Sequence, residues 1–255
     1  MSLSVFLSLT YLSTDSGFNC NYFIMNRILV LIFILPIFLA AACGKDEKRN
    51  MKDIDPDSIY FDYKIWGEEG YENITVKLQY RLRNVNGESI LLEEPAKVEL
   101  DGDVLKADSA KMTGVYYEAQ KPVKTFSGKH TITFTDVNNK KYRESFNFQP
   151  VTLAKPVPAT LQRSDLIFEF NGLSPEDLVR VLITDTSFLS DEINRVDTVK
   201  NGRLIISKEE LIALSNGPVH LEITKEFEKP VKNGTPEGGR ISISYGLKRE
   251  FILKD

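Results

Sequence analysis

The chain has 255 residues, with two cysteines, two histidines, one tryptophan and a formal net charge of −4. A mildly acidic chain without a block of Lys or Arg offers no surface for a phosphate backbone, which excludes nucleic acid as a partner. So few Cys and His leave almost no ligands for a disulfide framework or a Cys/His metal site.

From Met1 to Asn26 there is no Lys or Arg, and Asp15 is the one acid. Arg27 then directly precedes an apolar run, Ile28–Phe38, which ends in Leu39, Ala40, Ala41, Ala42 and Cys43. The start of the natural chain is therefore expected at Met25, with residues 1–24 an upstream extension of the reading frame. The run is about 15 residues, contains Pro36, and falls short of the ~20 apolar residues that span a bilayer. It has the length and flanks of a signal-peptide core rather than of a membrane helix. With small residues running up to a single cysteine, the segment resembles a bacterial lipoprotein signal peptide and its lipobox, departing from that pattern at Ala40, where Leu is commoner. The resemblance implies cleavage after residue 42, a diacylglycerol on Cys43, and a membrane partner through that anchor. Cys43 would then be the one cysteine of the mature chain, and the formal charge would stay at −4.

Residues 43–57 follow as a charged tether without apolar periodicity. Within it, Lys45-Asp46-Glu47 resembles the export signal of Bacteroidota surface lipoproteins, which implies the outer leaflet of the outer membrane. A periplasm-facing anchor is the alternative.

From Ile59 the period becomes two. Ile59, Phe61, Tyr63 and Ile65 alternate with Tyr60, Asp62, Lys64 and Trp66, and Ile74–Leu82 repeats the pattern after a Gly67–Gly70 turn. Asn86-Gly87 and Asp101-Gly102 are two-residue turn signals. Further strands are expected at 96–100, 104–106, 113–119, 130–136 and 142–151, with a hairpin turn at 137–140. Seven or eight short strands without helical periodicity predict an antiparallel sandwich of immunoglobulin type over 58–154. Lys155-Pro156-Val157-Pro158 then marks a boundary, because two prolines block a ladder. A second sandwich is expected over 159–255, with strands at 166–170, 178–183, 203–206, 219–227 and 241–252. Ser207-Lys208-Glu209-Glu210 reads as a capping box with Ile206 and Leu211 as its hydrophobic staple, predicting a short helix, Lys208–Leu214. Gly234–Gly239 reads as a hairpin tip. The fold class is thus all-β: two tandem immunoglobulin-like antiparallel β-sandwiches after a lipoprotein signal peptide. The strand and turn pattern is similar to that of the tandem immunoglobulin-like lipoproteins of Bacteroidota.

Chemistry is sparse. His130 falls on the face of Ile132 and Phe134 and is expected at the core edge, while His220 is expected outward beside Glu222. No metal and no cofactor is expected, and no catalytic residue is assigned. The acid pairs Glu68/Glu69, Glu93/Glu94, Asp101/Asp103 and Glu209/Glu210 fall in turns or at a helix start, where solvated acids gather. Aromatic residues say more. Tyr60 and Trp66 share the outer face of the first strand by alternation, and of adjacent Tyr116 and Tyr117 one must point outward. Tyr60 and Trp66 are candidate rings for stacking on a sugar. Rings covering a sheet edge are the alternative reading.

Asp57-Ser58-Ile59, Asp108-Ser109-Ala110 and Asp197-Thr198-Val199 resemble the Asp-Ser/Thr-apolar acceptor of Bacteroidota O-glycosylation. That resemblance implies Ser58, Ser109 and Thr198 as modified residues. The functional expectation is a non-catalytic outer-membrane or cell-surface lipoprotein that binds or scaffolds, with a glycan or an envelope protein as partner. A surface-anchored hydrolase using a carboxylate pair, glycosidase-like, is the alternative.

Overall fold

Alternation builds the first half. A computed structural model describes residues 54–255 apart from 176 and 188–190. Cys43, the expected signal peptide and the tether up to residue 53 lie outside the described residues. After a 3-10 turn, Pro56–Ser58, come β1 (Ile59–Glu68) and β2 (Asn73–Leu82). Ile59, Phe61, Tyr63 and Ile65 are buried on β1, as are Ile74, Val76, Leu78 and Tyr80 on β2. Two adjacent strands each turning an apolar face to one side require a second layer. That layer is the sheet of β3 (Lys97–Leu100), β4 (Asp103–Val104), β7 (Gly128–Thr135) and β8 (Lys141–Phe148), in the order β4-β3-β7-β8. Between the layers Phe61 meets Tyr80, Phe134 and Tyr142 edge-on, at ring distances of 5.4, 5.3 and 5.8 Å. Edge-to-face contacts of this kind add to plain area burial.

The second half contains β9 (Thr152–Leu153), β10 (Thr160–Gln162), β11 (Leu166–Asn171), β12 (Leu178–Asp185), β13 (Ile193–Thr198), β14 (Arg203–Ile206), the helix α1 (Lys208–Leu211), β15 (Gly217–Pro230) and β16 (Gly239–Lys254). Leu166, Phe168 and Phe170 of β11 are buried, as are Val179, Val181 and Ile183 of β12 and Val219, Leu221 and Ile223 of β15. The small layer β14-β11-β9 closes this core. The structure is all-β, built of packed sheets.

One hairpin connects everything. β15 and β16 have 14 and 16 residues, against a usual strand of about 5–6. The outer stretch of β15, Val219–Lys225, pairs with β12, while the near end of β16, Gly239–Gly246, runs parallel to β1. With β5 (Ala107–Ala110) and β6 (Gly114–Pro122), a single sheet results, ordered β13-β12-β15-β16-β1-β2-β6-β5, with β10 added on β16. All described residues belong to one unit, Lys48–Asp255. A Cβ on Gly239 would lie 2.6 Å from Phe61 Cβ, so only glycine lets β16 come this close to β1. The hairpin tip is tied down as well. Asn233 donates to Arg143 O at 3.0 Å, Phe61 N donates to Gly238 O at 3.1 Å, and Thr235 donates to Ile59 O. Buried Glu144 accepts from Lys229 Nζ at 2.8 Å and from the Lys232 amide at 2.9 Å.

Several expectations need correction. The sheets are not purely antiparallel, because β16 pairs parallel with β1 and with β10. Asn86-Gly87 sits in a longer loop, whereas Asp101-Gly102 makes the expected tight turn between β3 and β4, with φ of 53° and 94°. β5, β9, β10 and β13 were not legible. β13 buries only Ile193 and leaves Val196 exposed, which erases its alternation. The capping box and both staple residues are present, but α1 ends at Leu211 instead of Leu214. Arg163 explains the stop by donating to the carbonyls of Leu211 and Leu214. Lys155–Pro158 is irregular chain between β9 and β10.

Candidate functional site

The outer face of the long sheet carries the most suggestive residues. Because β1 buries its odd-numbered positions, Tyr60, Asp62, Lys64 and Trp66 point away from the core. Trp66 is 40% exposed and Tyr71, in the turn after β1, is 68% exposed. The register sets a row across five strands: Gln120 on β6, Thr75 on β2, Trp66 on β1, Ser244 on β16 and Glu226 on β15. Neighbouring strands lie about 4.8 Å apart, so this row is roughly 19 Å long. It is ordered by its own bonds. Gln120 Nε2 donates to Thr75 Oγ1 at 2.9 Å, and Arg180 Nε meets Glu226 Oε1 at 3.1 Å. At one end Trp66, Glu68, Tyr71, Asn73 and Gln120 line a depression of about 400 Å³.

A flat aromatic ring beside an amide, a hydroxyl and carboxylates can stack on one face of a sugar and bond its hydroxyls. Tyr60 is not brought to Trp66. Six residues of strand put the two roughly 20 Å apart, with Asp62 and Lys64 between them. Tyr60 is half-buried; burial raises its phenol above the ordinary range, with Arg240 opposing. The ring that joins Trp66 is Tyr71, which lies outside any alternating segment and so gave no signal in the sequence. Thr75 was legible as outward-facing. Its alignment with Gln120, Ser244 and Glu226 is a matter of register.

The remaining candidates are placed as follows. Of the adjacent tyrosines, Tyr117 is the buried one; its hydroxyl accepts from Leu92 N at 2.7 Å, and burial raises its phenol to about 12. Tyr116 points outward under Lys77, whose Nζ lies 3.6 Å from the ring centroid. His130 sits at the core edge as expected, stacked on Phe126 at 3.6 Å. Its Nδ1 lies 2.7 Å from Asp101 Oδ2 and its Nε2 lies 2.9 Å from Phe126 O, so neither nitrogen is left over for a substrate. His220 is exposed, but its neighbour is Glu250 at 3.1 Å rather than Glu222. Among the acids singled out, Glu68 meets Lys248, Glu69 meets Arg249, Asp103 meets Lys121, and Glu210 caps α1 and meets Arg195. Among the described residues no group of three His, Cys, Asp or Glu is placed to hold a metal ion.

The three acceptor-like residues differ in access. Ser109 is exposed on edge strand β5, Thr198 is half-buried on β13, and Ser58 donates its hydroxyl to Asp55 O at 2.7 Å within the 3-10 turn.

No protein-family model matches the chain, and no curated protein matches it in sequence. Among solved structures it is similar to the IG1+IG2 domains of DIP-gamma, at 10% identity over 74% of this chain and 94% of that one, with a TM-score of 0.22. It is also similar to SGBP-B of the Bacteroides ovatus mixed-linkage glucan utilization locus, in complex with a mixed-linkage heptasaccharide. That match has 13% identity over 79% of this chain and 47% of that one, with a TM-score of 0.23. Overlap this slight leaves the functional reading to the residues themselves.

Proposed function

We propose that this chain is a non-catalytic, lipid-anchored envelope protein that binds a glycan chain across the outer face of its long sheet. One observation carries the reading: Trp66, the single tryptophan, stands exposed in the middle of a register-aligned row of hydrogen-bonding side chains. A core residue would be sealed, and a residue at an edge would lack neighbours on both sides. The row crosses from the first half to the second, so the rigid hairpin holds both ends of an extended ligand at a fixed distance. Preorganisation of this kind limits the entropic cost of binding.

The test uses the tryptophan itself. In the full chain, Trp66 emission should be red-shifted and quenched by acrylamide. A panel of soluble oligosaccharides should contain one that shifts and protects it in a saturable way. Trp66→Ala should then weaken binding about tenfold, the upper end of what one stacked ring contributes. A blue-shifted Trp66 that acrylamide cannot reach would end the proposal.

The anchor is assigned to Cys43, with the outer membrane as its site and the surface-facing leaflet as its orientation. Cells fed a clickable fatty acid should label the wild-type protein in the membrane fraction and should not label Cys43→Ala. Equal labelling of the variant would overturn the assignment.

A further inference from the structure

A second concavity lies on the opposite side of the hairpin, where the two halves meet. It is a cleft of about 770 Å³. Its floor is apolar, with Phe227 and Ile243 of the hairpin facing Phe146 and Phe148 of β8, and Phe227 remains 45% exposed. One wall is β8, which is the last strand of its sheet and so has an open edge.

The backbone groups on that edge follow from the ladder. Thr131 of β7 donates its N–H to Asp101 Oδ1 and accepts from Asp101 N at its carbonyl, so both its groups point away from β8. Thr131 and its partner Ser145 are thus a non-hydrogen-bonded pair, and so, two residues along, are Lys129 and Asn147. Arg143, Ser145 and Asn147 therefore turn their N–H and C=O groups to the open edge. The first two are partly covered: Asn233 binds Arg143 O, and Lys229 Nζ binds Ser145 O at 3.0 Å. Asn147 lies where the hairpin diverges and the cleft opens, and among the described residues nothing pairs with its N–H or its C=O.

We infer that this cleft takes an extended acidic peptide from a partner protein, added as a strand to the Asn147 end of β8. Strand addition draws affinity from main-chain bonds and specificity from alternate side chains. A residue lying beside Asn147 would present its side chain on the face that carries Asn147 and, one strand further in, Lys129, which forms no ion pair among the described residues. Its chain neighbours would turn inward, onto the floor beside Phe227. Charge favours an acid at this outer position, because Lys129 has no ion pair there, whereas Lys225 is held by Asp177 at 2.7 Å and Lys229 by Glu144 at 2.8 Å. Open main-chain N–H and C=O groups above an apolar floor suit an extended peptide, which pairs with both groups and turns alternate side chains onto the floor. The site is separate from the Trp66 face.

The test is binding of a capped hexapeptide alternating glutamate with valine or phenylalanine, measured by calorimetry on the full chain. The expected result is saturable binding, weakened about tenfold when alternate amides of the peptide are N-methylated, the order of one lost hydrogen bond in a dry site. Asn147→Pro should weaken binding similarly and keep the fold, because its N–H serves no ladder and proline is tolerated on an edge strand. Replacing the glutamates by lysines should also lower affinity. The Trp66→Ala variant should bind this peptide like the wild type, which separates failure here from failure of the glycan reading. The inference is overturned if the N-methylated peptide binds as well as its parent, or if the cleft takes only oligosaccharides in a manner sensitive to Phe227→Ala.

Discussion

Asp62→Ala is expected to cost about 3–5 kcal/mol of unfolding free energy, the range for breaking a buried ion pair from one side. Asp62 is an outward-facing residue that is nonetheless only 2% exposed. Arg240 Nε lies 2.8 Å from its Oδ1, Arg81 Nε lies 3.7 Å from its Oδ2, and Lys64 Nζ lies 3.8 Å from the same oxygen. These cations come from β16, β2 and β1, so one carboxylate ties the hairpin to both opening strands. Gln79, itself buried, completes the network by accepting from Arg81 and donating to the Thr113 and Val115 carbonyls. Removing the carboxylate leaves Arg81 and Arg240 crowded on one patch of sheet without their counter-charge. Asp62→Asn should cost less, since its amide oxygen can still accept from Arg240. The check is the urea midpoint at unchanged m-value, followed by Trp66 fluorescence. A loss under about 1 kcal/mol would place Asp62 with ordinary surface ion pairs and refute the locking role.

Alkaline pH should unfold the protein through its buried phenols. Tyr63 and Tyr80 are almost wholly buried, with hydroxyls 3.3 Å apart, and burial raises both phenols well above their usual range. Tyr117 is raised to about 12 by burial, with the Leu92 amide opposing. An unfolded tyrosine titrates near 10, so above about pH 10 the unfolded chain sheds protons that the folded chain keeps. The unfolded state then binds fewer protons, and stability falls with rising pH. The stabilisation is fully present below pH 10 and is lost progressively up to 12 and beyond. Three such groups give a slope of about −4 kcal/mol per pH unit. Tyrosinate absorbance should therefore rise together with the loss of tertiary signal. Tyr63→Phe should reduce the slope by about a third. Titration of all tyrosines near pH 10 in a still-folded protein would contradict the prediction.

Much of the local structure was readable in advance, and for a physical reason. A strand buried on one face must alternate, so β1, β2, β11 and β12 announced themselves through residues such as Phe61, Val76, Phe168 and Val181. Tight turns need positive φ, which is why Asp101-Gly102 was legible. The helix start at Ser207 declared itself because a capping box is built from residues three apart. Strands with little to bury, such as β13 and the two-residue β9, carried no such mark.

The sequence by itself determined the all-β class, the outward face of Trp66, the core-edge place of His130 and the glycine-rich tip of the last hairpin. Each of these depends on neighbours within a few residues along the chain. Only the tertiary structure decided what β16 pairs with, because the parallel contact between Phe61 and Gly239 joins positions far apart in sequence and depends on close approach at a glycine. From that one pairing follow the continuous sheet, the alignment of Gln120, Thr75, Trp66, Ser244 and Glu226, the Asp62 lock, and the cleft at the open edge of β8. Register between distant strands is set by packing in three dimensions, and alternation along one strand carries no information about it.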